Sequence, residues 1–190
     1  MARPSPMSAK RGAARRWPAA AVLATLGLAV PMSQAMAVEV NRYDYQGAAA
    51  VCQPTLPQHG ANLRAQPLRG LSNLNEEDTI FVTCGYRGDD TTVPRGAWRV
   101  IANAANYGSS LGAIVSCTLV NGRAIGPDSN ATYTTRSVFV ALGGGATIFW
   151  TAADIEGGPP TISRPAIMCS VPAGASLQFV GIHYAEDVGG

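Results

Sequence analysis

Four cysteines constrain this chain more than any other feature. Cys52, Cys84, Cys117 and Cys169 stand 32, 33 and 52 positions apart, each in or beside a short strand-like run. Zinc would call for close pairs such as C-x-x-C with further ligands, and the chain has only two histidines. An even set of widely spaced cysteines in an oxidising compartment reads as two disulfides. Four cysteines permit three connectivities. Pairing in sequence order, Cys52 with Cys84 and Cys117 with Cys169, is expected because it ties the irregular segment after Cys52 to the sheet it leaves.

The N-terminus points to the compartment. Lys10, Arg11, Arg15 and Arg16 form a basic region, and residues 18–30 (PAAAVLATLGLAV) form an apolar run of signal-peptide length. Ala35-Met36-Ala37 places small residues where a signal peptidase cuts. Residues 1–37 are therefore expected to be a signal peptide removed after Ala37, leaving 38–190 as a single domain. The apolar run is shorter than the roughly 20 residues of a spanning helix. Export to the periplasm or outside the cell, with no membrane insertion after cleavage, is the expected location.

Removing the leader reverses the charge. The chain has 14 basic residues; less the five in the leader, nine remain, all arginine, against 12 acids, a net charge of −3. No Lys/Arg cluster marks a nucleic-acid or anionic-membrane surface, so those partners are not expected.

The order of elements reads as all-β. Residues 79–84 (TIFVTC) alternate, with Ile80, Val82 and Cys84 on one face. Residues 97–103 form a strand expected to turn Trp98, Val100 and Ala102 inward, and 113–120 place Val115, Cys117 and Leu119 together. Asn121-Gly122 is the clearest short hairpin signal, since both residues tolerate positive φ. Long alternation through 131–142, a break at 143–145 and a strand over 146–151 follow. Residues 38–46 read as an extended lead-in. Residues 168–184 read as a closing hairpin, with Ile167, Cys169 and Val171 inward and a turn at Pro172-Ala173-Gly174. No window outside the leader carries a helical period. The fold class is thus a single antiparallel β-sandwich, or flattened barrel, of about seven to nine strands with two disulfides.

Candidate sites are few. Gly108-Ser-Ser110-Leu-Gly112 is a literal G-x-S-x-G, with Asp128 or Asp154 and then His183 downstream in hydrolase order. A strand instead of a helix follows Gly112, and no βαβ period exists, so a hydrolase built on Ser110 is rejected and no catalytic residue is assigned. Asp89 paired with Asp154 is the carboxylate variant of the same idea. His183 shares a strand face with Phe179 and Ala185 and reads as structural; His59 reads as solvated. The acidic groups 76–78, 89–90 and 128–130 match no calcium loop, so neither metal nor cofactor is expected. Trp98 and Trp150, with Tyr107 and Tyr133, would make a sugar-stacking set where exposed; Trp150, Trp98 and Tyr107 are the ligand-binding candidates.

Cys52-Gln-Pro54, Val82-Thr-Cys84, Val115-Ser-Cys-Thr-Leu119, Cys169-Ser-Val-Pro-Ala-Gly174 and Gly181-Ile-His-Tyr-Ala-Glu186 resemble a group of small exported bacterial four-cysteine proteins. The stretch from Cys84 to Asp90 departs from that group's pattern. The resemblance implies a β-rich, disulfide-bonded exported domain and brings no functional residues with it. The expected function is a non-enzymatic binding or structural role toward an envelope or extracellular protein or a glycan. A carbohydrate-binding module and a small secreted hydrolase are the alternatives.

Overall fold

Ile80, Val82 and Cys84 are buried while Phe81 faces solvent, and this two-residue alternation recurs through most of the chain. The structure is a computed structural model that describes residues 38–86, 96–108, 112–122, 131–158 and 161–188. Eleven strands are found among these residues: β1 Glu39–Gly47, β2 Cys52–Pro54, β3 Leu63–Gln66, β4 Gly70–Asn73, β5 Ile80–Gly85, β6 Ala97–Asn106, β7 Gly112–Asn121, β8 Thr132–Ala141, β9 Gly145–Thr151, β10 Ala166–Val171 and β11 Ala175–Asp187.

They form two antiparallel sheets packed as a sandwich. The five-stranded sheet runs β2-β5-β10-β7-β8. The six-stranded sheet runs β3-β4-β11-β6-β9, and β1 also pairs with β11. Strand β11 is 13 residues long, so one of its edges takes β4 at Ser176–Leu177 and β1 from Phe179 onward. The short strand expected over 71–75 is β4; the strands beyond the expected set are the short pieces β2 and β3, together with β1, whose tyrosines belong to a regular strand and not to a lead-in.

The chain crosses between sheets more often than its turn signals imply. Gly174 sits at φ +71°, in the left-handed region, and a Cβ there would lie 2.4 Å from the Gly108 Cα. This turn carries the chain from β10 in one sheet to β11 in the other, so 168–184 is an inter-sheet corner and not a hairpin. Strands β7 and β8 do pair antiparallel, Asn121 opposite Thr132, but residues 122–131 connect them instead of a two-residue turn. Asn121 is used elsewhere: its Oδ1 accepts the Ser163 N–H at 2.7 Å.

The core lies between the sheets. Val82, Cys84, Val115, Cys117, Ile167, Cys169 and Val171 line one side, and Val100, Ala102, Ala104, Ile148, Trp150, Leu177 and Val180 the other. Both disulfides are in the five-stranded sheet and join directly opposed residues, Cys52 with Cys84 and Cys117 with Cys169. Buried amides close the corners. Asn73 Nδ2 donates to Asp78 O (2.8 Å) and Val171 O (2.9 Å), and Asn106 Nδ2 donates to Val140 O at 3.3 Å.

At the open edge of the sandwich, Trp150 Nε1 donates to Thr134 O at 3.1 Å, joining β9 to β8. Arg136 of β8 pairs with Asp154 at 2.6 Å across the same edge. Asp154 in turn accepts the Thr151 N–H (2.7 Å) and hydroxyl (3.0 Å), capping a short 3-10 turn, Ala152–Asp154. The Thr151 backbone N–H, with that hydroxyl and Arg136, holds the Asp154 carboxyl below the usual carboxylate range.

Candidate ligand-binding face

The structure removes one expected candidate. Trp150 is fully buried and its ring packs in the core, where its N–H is spent on Thr134, so it offers no face to a ligand. Alternation places its neighbour Phe149 outward, 43% exposed.

Trp98 moves the other way. His183 pairs with Arg99 and Tyr184 with Ala97, which leaves Trp98 without an opposite residue: β6 carries a bulge. A bulge turns two successive residues toward one face. Ala97 is buried, while Trp98 and Arg99 are both half-buried on the outer face of the six-stranded sheet. The expected inward Trp98 is therefore corrected, and the ring becomes available.

A second register shift, between Leu177 and Phe179, does the same to β11. Leu177 and Val180 are both buried, and Phe179 is turned outward between them. The two bulges together aim aromatic side chains at one surface.

That surface is a row of rings across β1, β11, β6 and β9. Tyr43 and Tyr45, two residues apart on β1, stand opposite His183 and Gly181 of β11. His183 meets three rings edge to face, with centroids 4.6 Å from Tyr43, 5.6 Å from Tyr45 and 4.8 Å from Trp98. Phe179 extends the row beyond Tyr45 at 5.6 Å. On the other side, the Arg99 guanidinium lies 5.2 Å from the Trp98 ring and 5.2 Å from the Phe149 ring. Gly181 makes room for this arrangement, because a Cβ there would come within 2.5 Å of the Tyr45 ring.

His183 is the pivot. It is 6% exposed, and its Nε2 is 2.6 Å from the Tyr45 hydroxyl. Its Nδ1 is buried with no hydrogen-bond partner among the described residues. Burial first, and the Arg99 charge second, hold its pKa below the ordinary imidazole value, so the ring is neutral near pH 7. Tyr43 (59% exposed) and Tyr45 (53%) wall it in and keep their own rings open to solvent. A shallow depression lined by Tyr45, Gln46, Gly47 and Phe179 continues the face along β1. Toward β9, Asn103 Nδ2 donates to Thr147 Oγ1 at 2.9 Å, adding an amide and a hydroxyl beside the rings.

No protein-family model and no curated protein matches the chain. Among solved structures, the family 11 carbohydrate-binding module from Clostridium thermocellum, in complex with a β-1,3-1,4-mixed-linked tetrasaccharide, is similar at 10% identity and a TM-score of 0.35. The alignment covers 78% of this chain and 86% of that one. A likeness at this level leaves the ligand of this chain to be read from its own surface.

The remaining candidates do not gather at the ring row. Tyr107 follows the far end of β6, nine residues from Trp98, which is about 30 Å of extended strand. It is occupied there: Arg69 lies 4.6 Å over its ring and Gln178 donates to its hydroxyl at 2.7 Å. Tyr133 is exposed on the outer face of the other sheet. That face has further apolar groups, Ile114 opposite Phe139, but the Phe139 ring covers Gly112, and the hydroxyls beside it bond one another, Ser116 with Ser137 and Thr118 with Thr135.

Ser110, Asp89 and Asp128 lie outside the described residues. Asp154 belongs to the Arg136 and Thr151 network, and His183 to the tyrosines. His59, expected in solvent, is half-buried with its ring 6.4 Å from Phe81. Among the described residues no three His, Cys, Asp or Glu side chains converge as a metal site, and no helix is long and apolar enough to cross a membrane.

Sequence reasoning missed Tyr43, Tyr45, Phe149, Phe179 and Arg99. The signal for the first two was present: Tyr43-Asp44-Tyr45 has the two-residue spacing that puts both rings on one face of a strand.

Proposed function

We propose that this is an exported, non-enzymatic binding domain that stacks sugar rings of a glycan on the outer face of its six-stranded sheet. The observation that carries the reading is the ring row itself, Tyr43, Tyr45, Trp98, Phe149 and Phe179 on one surface, where alternation places Tyr43, Tyr45 and Phe149, two bulges turn Trp98 and Phe179, and Gly181 leaves room for Tyr45. A pyranose has an apolar C–H face that packs on an aromatic ring and a rim of hydroxyls that takes hydrogen bonds. Tyr43, Tyr45 and Phe149, which keep about half their surface in solvent, with the half-buried Trp98 and Phe179 and next to Tyr hydroxyls, Asn103 and Thr147, supply both. Residues 1–37 serve as the signal peptide and 38–190 as the binding domain in this reading, with the disulfides stabilising it outside the cytoplasm.

The test is a calorimetric titration of the mature domain with a panel of neutral and acidic oligosaccharides. Binding that falls at least tenfold in Tyr43→Ala and in Trp98→Ala, with unfolding temperatures near wild type, supports the reading. Absence of binding across the panel, or binding untouched by both changes, overturns it and leaves an envelope protein as the partner.

A further inference from the structure

The charge on the ring row is unbalanced in a specific way. Two guanidiniums lie over Phe149, Arg99 at 5.2 Å and Arg136 at 5.5 Å. Arg136 is neutralised by Asp154 at 2.6 Å. Arg99 has no carboxylate partner among the described residues, and its Nε is buried without any hydrogen-bond acceptor. Its cross-strand neighbours, His183 and Thr151, bring no negative charge. The buried Nδ1 of His183 also lacks a partner among the described residues.

Such a position is costly to hold empty. A guanidinium withdrawn from water between two rings loses part of its hydration, and no carboxylate among the described residues returns it. An Arg is also the side chain best shaped to take a carboxylate through two parallel N–H bonds. It stands toward the β9 end of the row, flanked by Trp98 on one side and Phe149 on the other. A sugar stacked on either ring would carry its substituents past it.

We propose that the glycan bound by this face is acidic, a uronate-bearing oligosaccharide whose carboxylate pairs with Arg99 while its pyranose rings stack on Trp98, Phe149 and the β1 tyrosines. This rests on the glycan-binding reading above. The rings supply the affinity common to sugars, and Arg99 selects the charged one.

The experiment compares an oligogalacturonate, a neutral galactan oligosaccharide of equal length and poly-glutamate, each titrated into the mature domain at low and at physiological salt. The expected result is at least tenfold tighter binding of the uronate than of the neutral sugar, weakening with salt. Arg99→Gln should remove that preference, so that uronate and neutral sugar bind alike. Arg99→Lys, which keeps the charge and loses the planar fork, should retain only part of it. Each variant is checked for a wild-type β-sheet spectrum, and the Lys variant keeps the test open if the Gln variant does not fold. Equal binding of uronate and neutral sugar overturns the charge selection and leaves the glycan reading standing. Equal binding of poly-glutamate and uronate overturns the proposal in favour of a general anion site. No binding of either sugar overturns both.

Discussion

Trp98 and His183 pack edge to face with centroids 4.8 Å apart because the bulge in β6 gives Trp98 no opposite residue on β11. Without that extra residue, strict alternation would send Trp98 into the core and Ala97 to the surface. The bulge therefore sets both what the sheet buries and what it shows.

His183 should make stability depend on pH. Tyr43, Tyr45, Trp98 and Arg99 surround it, and burial holds its folded pKa below that of the unfolded chain. The unfolded state then takes up the proton first. The stabilisation is complete above the unfolded value, about 6.5, and is lost as pH falls from there through the folded pKa, with a slope of up to about 1.4 kcal/mol per pH unit from this group. Denaturant unfolding between pH 7 and 5 measures it. His183→Gln should flatten the slope in that window, and an unchanged slope would mean that another group is responsible.

The two disulfides should differ in reducibility. Cys117 and Cys169 are both fully buried, whereas Cys52 is half-buried on the short strand β2. Mild thiol treatment of the folded protein should open Cys52–Cys84 first, as read by alkylation and peptide mapping. With the partners 32 and 52 positions apart in sequence, the chain-entropy model assigns each bridge about 4 kcal/mol. Paired Cys→Ala changes should therefore lower stability comparably although their accessibilities differ.

Gly174→Ala should be among the most damaging small substitutions. The residue combines φ +71° with a backbone approach that a Cβ would violate, 2.4 Å from Gly108 Cα. The left-handed conformation alone costs an alanine about 1–2 kcal/mol, and separating the two backbones adds to it. Gly143→Ala is the control: its φ is also +71° but nothing lies near its Cβ position, so only the conformational cost should appear in its unfolding free energy.

The core strands were legible because β-branched and small residues alternate there without interruption. Ile80, Val82 and Cys84, then Val115, Cys117 and Leu119, then Ile167, Cys169 and Val171 all face inward as their spacing requires. The disulfide pairing follows from the same register, since each cysteine is opposite its partner. Trp98 was illegible because one extra residue inverts the pattern without leaving a mark in composition. Trp150 and Phe149 illustrate a milder failure: adjacent aromatics take opposite faces, and only the partner strand decides which one is buried. The turn signal at Pro172-Ala173-Gly174 marked where β10 ends, but not that the chain passes to the other sheet, and Asn121-Gly122 marked the end of β7 but not the length of the connection to β8.

The most direct measurement is a map of amide chemical shifts as an acidic oligosaccharide is added to isotopically labelled protein comprising residues 38–190. The expected result is a set of changes centred on Tyr43, Tyr45, Arg99, Phe149 and Gly181, with Ile114, Tyr133 and Phe139 on the opposite sheet unmoved. Changes centred on Tyr133 and Phe139, or on none of these residues at saturating sugar, would contradict binding at the ring row.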